Sequence, residues 1–204
     1  SIEEQNNWFS ASDNLVLKRF LNATIENKKV AGVVGGFGFG TVNETGRIDT
    51  LKLVKAYRSF LMDKKCIRFE KFEHAKLKVS IEKITYKEIE CKQVVFCEGF
   101  GMKGNPFFND LPLAEAKGEL ITIHAPGLNI DFLLKSALFL IPLGENNYKV
   151  GATFNHIDKT AAPTQSGKLE LVEKLKKVIN VPYEIIDQTA GIRPTTNDRR
   201  PFIG

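Results

Sequence analysis

The stretch that decides how this chain reads is its last, "GIRPTTNDRRPFIG", residues 191–204. Pro194 biases the residue before it, Arg193, toward extended backbone, and Gly191 lets a ring or another backbone come close. An arginine held at the end of a strand presents a planar fork of donors that matches a carboxylate bidentately. The plainer alternative is an Arg193 paired with a structural carboxylate of its own segment, such as Asp198. Thr196 and Asp198 are residue types whose side-chain oxygens support turns.

Working outward, "YEIIDQTAGIRP" (183–194) reads as the strand that delivers this motif, and "SGKLELVEKLKKVI" (166–179) as a helix before it. "SALFLIPLG" (136–144) and "YKVGATF" (148–154) are strands joined by a hairpin turn at "ENN", with "GELITIHA" (118–125) a further strand. "GFGMKGNPFFNDLPL" (99–113) is a loop punctuated by Gly, Asn and Pro. The continuous apolar run in "QVVFCEG" (93–99) predicts a buried strand emerging into that loop. "CIRFEKF" (66–72), "KLKVSIE" (76–82) and "ITYKEIE" (84–90) read as strands, and the alternation in "KVSIEKITYKEIEC" predicts a half-exposed antiparallel ribbon. A helix capped by Asp49 or Thr50 is expected as far as Lys64 and Lys65, and residues 1–29 read as helical, with Trp8 and Phe9 packing on that helix. In "AGVVGGFGFGTV" (31–42), Gly35, Gly36, Gly38 and Gly40 read as strand glycines. They admit a ligand or another backbone, or mark a structural bend. They are not a phosphate loop, because the third Gly of G-x-G-x-x-G would fall on Thr41 or Asn43. The interleaving of elements predicts an α+β (mixed α/β) fold: a mixed, largely antiparallel sheet with helices on one face.

Composition excludes several classes. No apolar run of the chain approaches the ~20 residues of a membrane span. Cys66, Cys91 and Cys97 form an odd set with no pairing motif, which points to a reducing, cytoplasmic setting. His74, His124 and His156 lie far apart and no CxxC occurs, so no metal site is expected. The net charge of +5 is spread among acidic residues, as in "EKFEHAKLK", so a solvated surface is expected and nucleic acid is not. No G-x-S-x-G or HExxH occurs, and His156, though near Asp158, has no serine to form a hydrolase triad with it. The absence of a candidate acid, base or nucleophile fits chemistry carried by a cofactor.

Gly191, Arg193, Pro194, Thr196, Asp198, Pro201, Ile203 and Gly204 fit the form G-x-R-P-x-T-x-D-x-x-P-x-I-G. On these residues the segment resembles the late part of the D-amino-acid-oxidase-like family of FAD-dependent oxidoreductases, which includes glycine, sarcosine and D-amino-acid oxidases. "GRIDTLKLVKAYRSFL", "VVFCEG", "AKGELITI" and "LIPLGENNYKVGAT" are similar to family segments in the same order. The resemblance implies a split fold: a helical lead-in (1–30), a substrate-binding domain (31–48 and 117–192), and part of a Rossmann-like FAD-binding domain (49–116 and 193–204). It implies Arg193 on the substrate carboxylate. Phe139 stands where related oxidases often carry a carboxylate-binding tyrosine, a departure that leaves recognition to Arg193 or changes the substrate. Gly99, His74 and Pro194 are the implied flavin contacts.

The implied reaction is oxidation of the C–N bond of an amino acid or related amine by hydride transfer to FAD. Two alternatives stay open: oxidation of a modified tRNA base side chain, and a non-catalytic carboxylate-binding module. The N-terminal strand–GxGxxG–helix unit that grips the FAD pyrophosphate is missing, as is the glycine-rich segment that follows in the family. The 204 residues are therefore expected to be an internal fragment, inactive in isolation.

Overall fold

The structure, a computed structural model, describes residues 1–198 and residue 200. Pro201, Ile203 and Gly204 of the terminal motif lie outside the described residues. The chain divides into two compact units, one of residues 1–2, 25–39 and 97–204, the other of residues 3–24 and 40–96.

The first unit is built on two long strands. Leu113–His124 (β6) pairs antiparallel with Glu184–Thr196 (β10), in a ladder from Leu113 opposite Thr196 to His124 opposite Glu184. On its other side β6 pairs with Asn147–Gly151 (β9), which pairs with Phe139–Gly144 (β8), which pairs with Leu134–Lys135 (β7). The order is β10-β6-β9-β8-β7, and every ladder is antiparallel. The β8–β9 turn has Glu145 and Asn146 both at positive φ, as the tight hairpin turn requires. One face of the sheet carries Ile121, Ile123, Leu140, Tyr148 and Val150, all buried, and against it packs the helix Gln165–Leu175 (α3) through Leu171 and Leu175. Thr164 caps α3, its hydroxyl accepting the Gly167 N–H at 3.0 Å. The expected α+β sheet with a helix on one face is therefore what forms.

The second unit holds the helices Ile2–Ser12 (α1) and Thr50–Asp63 (α2) and a small antiparallel sheet. The sheet's strands are Leu77–Val79 (β3), Ile84–Tyr86 (β4) and Ile89–Cys91 (β5), so the expected ribbon forms with one more turn, at Lys87, than its alternation showed. Asp49 caps α2 by accepting the Lys52 N–H at 2.9 Å. Leu21–Glu26 (β1) and Phe39–Val42 (β2) pair as a ribbon, and the unit boundary falls within it.

Four local expectations differ. The helix expected through residue 29 ends at Ser12: the Asn14 side chain accepts the Val16 and Leu17 N–H groups, a local bond that competes with helix, and Leu21–Glu26 is a strand. Residues 66–72 and 93–98 form no strand, because an extended run becomes one only beside a partner and no described strand flanks them. The glycine-rich run is mostly irregular, with one bridge from Val33 to Ile179. Its glycines make room for side chains: a Cβ on Gly40 would stand 2.5 Å from the Trp8 ring, and one on Gly35 would stand 2.7 Å from the Phe39 ring.

Candidate functional site

Arg193 lies on the sheet face opposite α3. Side chains alternate along a strand, so the register sorts the faces. Arg193 is opposite Ala116, Gly191 opposite Gly118, and Thr189 opposite Leu120, which is opposite Gly151 and then Phe139. Both substrate-binding candidates, Arg193 and Phe139, are thus on one face, at opposite corners, with Gly118, Thr189, Leu120 and Gly151 between them. The Phe139 ring lies over Gly151, where a Cβ would stand 2.9 Å from it. The Arg193 guanidinium lies over Gly118, with Nη2 3.5 Å from where a Cβ would stand. Arg193 is exposed, and among the described residues no carboxylate pairs with it. Asp198 instead accepts the Arg200 N–H at 3.0 Å, while the Thr196 hydroxyl donates to the Arg200 carbonyl at 2.7 Å. These two residues hold the turn after β10 and leave the guanidinium unclaimed.

A second polar group meets the guanidinium over the same glycine. After β9 the chain continues along β6: Lys117 N–H donates to the Asn155 carbonyl at 2.7 Å and Asn155 N–H returns a bond to the Lys117 carbonyl at 2.9 Å. At the next pair, Thr153 N–H donates to the Glu119 carbonyl at 3.2 Å, but the Glu119 N–H is taken by the Thr153 hydroxyl at 2.9 Å. The Thr153 carbonyl, displaced from the ladder, stands 3.5 Å from the Cβ position of Gly118. No described donor reaches it. A cation and a free acceptor therefore flank one glycine, at most twice that distance apart.

Polar anchors on the opposite face fix this arrangement. Lys117 is fully buried, and its ammonium donates to Asp158 and to the Ala162 carbonyl, with Thr160 Oγ1 at 3.4 Å and Glu119 at 3.7 Å. The Asp158 carboxyl is lowered to about 2, first by that lysine and then by the Thr160 N–H and hydroxyl. Burial alone would raise the Glu119 carboxyl, but bonds from the Thr164 hydroxyl and N–H and from Gln188, with the Lys117 charge, hold it below its ordinary value. Glu115 is likewise lowered, by Lys103 first and Lys159 next. Sequence reading passed over Lys117 and Thr153. The alternation of "AKGELITI" carried the signal for Lys117, which lands among the inward positions.

The cofactor candidates fall in both units. Gly99 has φ +54 and opens a 3-10 helix, Gly99–Gly104; among the described residues only the Pro194 ring, at 4.0 Å, approaches its Cβ position, so Gly99 and Pro194 lie side by side within the first unit. His74, in the second, has its ring 5.4 Å from Phe72 and 5.8 Å from Phe96. Gly99, Gly101 and Gly104 do carry the GxGxxG spacing. They form a single 3-10 helix with no paired strand before it, which is not a phosphate-gripping turn. Gly99 and Pro194 thus leave room for a planar group to lie against them, and the described residues provide no pyrophosphate grip. They contain no group of three or more His, Cys, Asp or Glu arranged to hold a metal, and no helix long and apolar enough to cross a membrane.

A family model described as FAD dependent oxidoreductase matches residues 2–204. Among curated relatives, the tRNA 5-methylaminomethyl-2-thiouridine biosynthesis bifunctional protein MnmC of Campylobacter jejuni subsp. jejuni is 26% identical over 175 residues, 80% of this chain and 27% of that protein. The D-amino acid oxidase of Dugesia ryukyuensis is 24% identical over 172 residues, 79% of this chain and 51% of that protein. The chain thus spans between a quarter and about half the length of these relatives. The crystal structure of glycine oxidase from Bacillus cereus superposes with a TM-score of 0.65 at 16% identity, over 81% of this chain and 49% of that one.

Proposed function

Because this chain belongs to the family of FAD-dependent oxidoreductases, we propose that its large sheet is the substrate-binding floor for an amino acid or related amine whose C–N bond is oxidised. The observation that carries this reading is the pairing of an unclaimed guanidinium with an unclaimed carbonyl over Gly118. A carboxylate seats on the Arg193 fork, and the neighbouring nitrogen donates to the Thr153 carbonyl. An amino acid offers both groups two bonds apart. FAD, when bound, supplies the acceptor for the hydride of the α-carbon. This chain's residues orient the substrate and keep its reacting carbon in one place, which is a large part of the rate when two reactants must meet. Gly99 and Pro194 are the residues that would lie against the cofactor, and His74 would contribute backbone groups only. On this reading residues 31–48 and 117–192 form the substrate half.

The test is Arg193→Ala in the FAD-loaded protein at its full natural length. Substrate binding is expected to weaken by roughly 2 to 5 kcal/mol, the cost of stranding a desolvated carboxylate, and Arg193→Lys is expected to restore only part, since one ammonium cannot copy the fork. Unchanged KM and kcat in Arg193→Ala would return Arg193 to a structural role.

A second reading has its own support: the MnmC relatives carry tRNA modification in their name, and this chain has a net charge of +5. In that case the amine is a side chain on a tRNA base. Binding of tRNA would then weaken steeply between 50 and 200 mM salt, on the order of a thousandfold for six or more phosphate contacts. Absent or salt-insensitive tRNA binding removes it.

A further inference from the structure

Where the segment after β9 leaves its ladder with β6, one side chain gathers three parts of the first unit. Asn155 pairs with Lys117, and its side-chain oxygen accepts the Ile157 N–H at 2.7 Å and the Asp158 N–H at 3.1 Å. These bonds turn the chain out of the ladder, and side chains take over the next carbonyl of β6. His156 Nδ1 lies 3.2 Å from the Glu115 carbonyl, and the Lys159 ammonium donates to it at 2.8 Å. The Glu115 residue is only 7% exposed, yet its carboxylate meets two ammonium groups. One is Lys159, at 3.4 Å, and the other is Lys103, from the Gly99–Gly104 turn. Glu115 also stands opposite Pro194 in the β6–β10 ladder.

Both arms of this junction are stiff. Asn105, fully buried, closes the turn: its N–H donates to the Met102 carbonyl at 3.0 Å and its amide to the Glu98 carboxylate at 2.7 Å. Its side-chain oxygen accepts the Phe107 N–H at 2.9 Å. A pull on Lys103 is therefore a pull on Gly99. The segment is fixed by Asp158, which accepts from the buried Lys117, and Thr153 belongs to that segment. We propose that Glu115 is a positioning residue for hydride transfer. Through Lys103 and Lys159 it holds the turn whose Gly99 would lie against the cofactor at a set distance from the segment that carries the Thr153 carbonyl. This rests on the amino-acid reading above and adds to it. Arg193 anchors the carboxylate without Glu115, so loosening the junction spares binding and slows the reaction. A misplacement of about 1 Å between reacting groups can cost on the order of a hundredfold in rate. The lysine side chains are 46% and 42% exposed, so the ion pairs add little to stability and act on geometry instead.

The test is anaerobic flavin reduction by glycine, N-methylglycine and D-alanine in the FAD-loaded protein at its full natural length. With the fastest of the three, Glu115→Gln is expected to slow the limiting rate about tenfold and to change the half-saturating concentration by less than about twofold. Glu115→Asp should recover part of the rate. As a readout free of turnover, methoxyacetate, a carboxylate with no nitrogen, should bind Glu115→Gln by calorimetry with a Kd within about twofold of the unaltered protein. Lys103→Met should also slow reduction while moving the melting temperature by no more than about a degree. Added to Glu115→Gln it should slow reduction no further, as for two residues that act through one contact. Lys103→Met carries the test alone if Glu115→Gln does not fold. An unchanged limiting rate in Lys103→Met, or a Glu115→Gln effect on methoxyacetate binding rather than on rate, overturns the proposal and leaves the amino-acid reading standing. No flavin reduction by any of the three amino acids in the unaltered protein overturns both.

Discussion

Single glycines set the chemistry of the exposed sheet face. Gly118 leaves the guanidinium of Arg193 at ordinary contact distance from where a methyl would be, so Gly118→Ala is expected to be near neutral, whereas Gly118→Leu displaces the guanidinium and raises KM without unfolding the sheet. Steady-state kinetics beside a melting curve separates the two effects. Gly151 has no such latitude. A Cβ there would stand 2.1 Å from Leu120 and 2.9 Å from Phe139, so Gly151→Ala is expected to cost about 1 to 3 kcal/mol in denaturant unfolding, the usual cost of overpacking. The proposed role of Arg193 could be anticipated from the family resemblance of its motif, though not from its residue type, which left a structural ion pair open. That of Thr153 could not, because a displaced carbonyl is a property of the ladder beside it, and any residue type can supply one.

At the scale of elements, β6 and α3 are joined by a polar seam beside the apolar core. Glu119 accepts from Thr164, which caps α3, and the Glu119 carboxyl fills the space over Gly167, where a Cβ would stand 2.5 Å from it. Thr164→Ala is therefore expected to cost more than the ~1 kcal/mol of an ordinary cap, since it also strips bonds from a buried carboxylate. Thermal unfolding of Thr164→Ala beside Thr164→Ser, which keeps the hydroxyl, checks this. Lys117→Met leaves Glu119 without its buried cation and is expected to cost about 3 kcal/mol or more by the same measurement. The elements themselves were largely legible. The long strands, the β8–β9 turn, the two capped helices and the small ribbon follow from alternation and cap chemistry. Residues 66–72 and 93–98 have the composition of strands and are not strands, because hydrophobic pattern reports what wants burial while pairing needs a neighbour. Val95 shows the difference: it sits in the most apolar run of its region and is 82% exposed.

Over the whole molecule, burial is uneven. The first unit contains the entire apolar cluster, while the described residues of the second include only Ser12 and Tyr86 as buried. Most of the large apolar side chains of α2, among them Leu51, Val54 and Tyr57, are more than half exposed. Amide exchange is accordingly expected to be fast across residues 40–96 and slow in β6, β9 and β10, as segments with few buried contacts open first; equal protection in both would contradict this. Stability should also fall in acid through a definable group. Asp158 has its carboxyl lowered from 3.8 to about 2, so its ionised form favours the folded state. That contribution is complete above the ordinary value and is lost as pH falls through about 2. Asp158→Asn should flatten the stability–pH curve in that window and leave its slope near neutral pH unchanged. The segment that Asp158 ends has a consequence of another kind. From Thr153 to Asp158, Thr153, Asn155, His156 and the final carboxylate fasten it to the scaffold, while the side chains of Phe154 and the 92% exposed Ile157 bear no part of that fastening. Fastening is thus carried by only some residues of one short segment, so Phe154 and Ile157 form a natural two-position library for directed evolution that can be searched without spending the fold's stability.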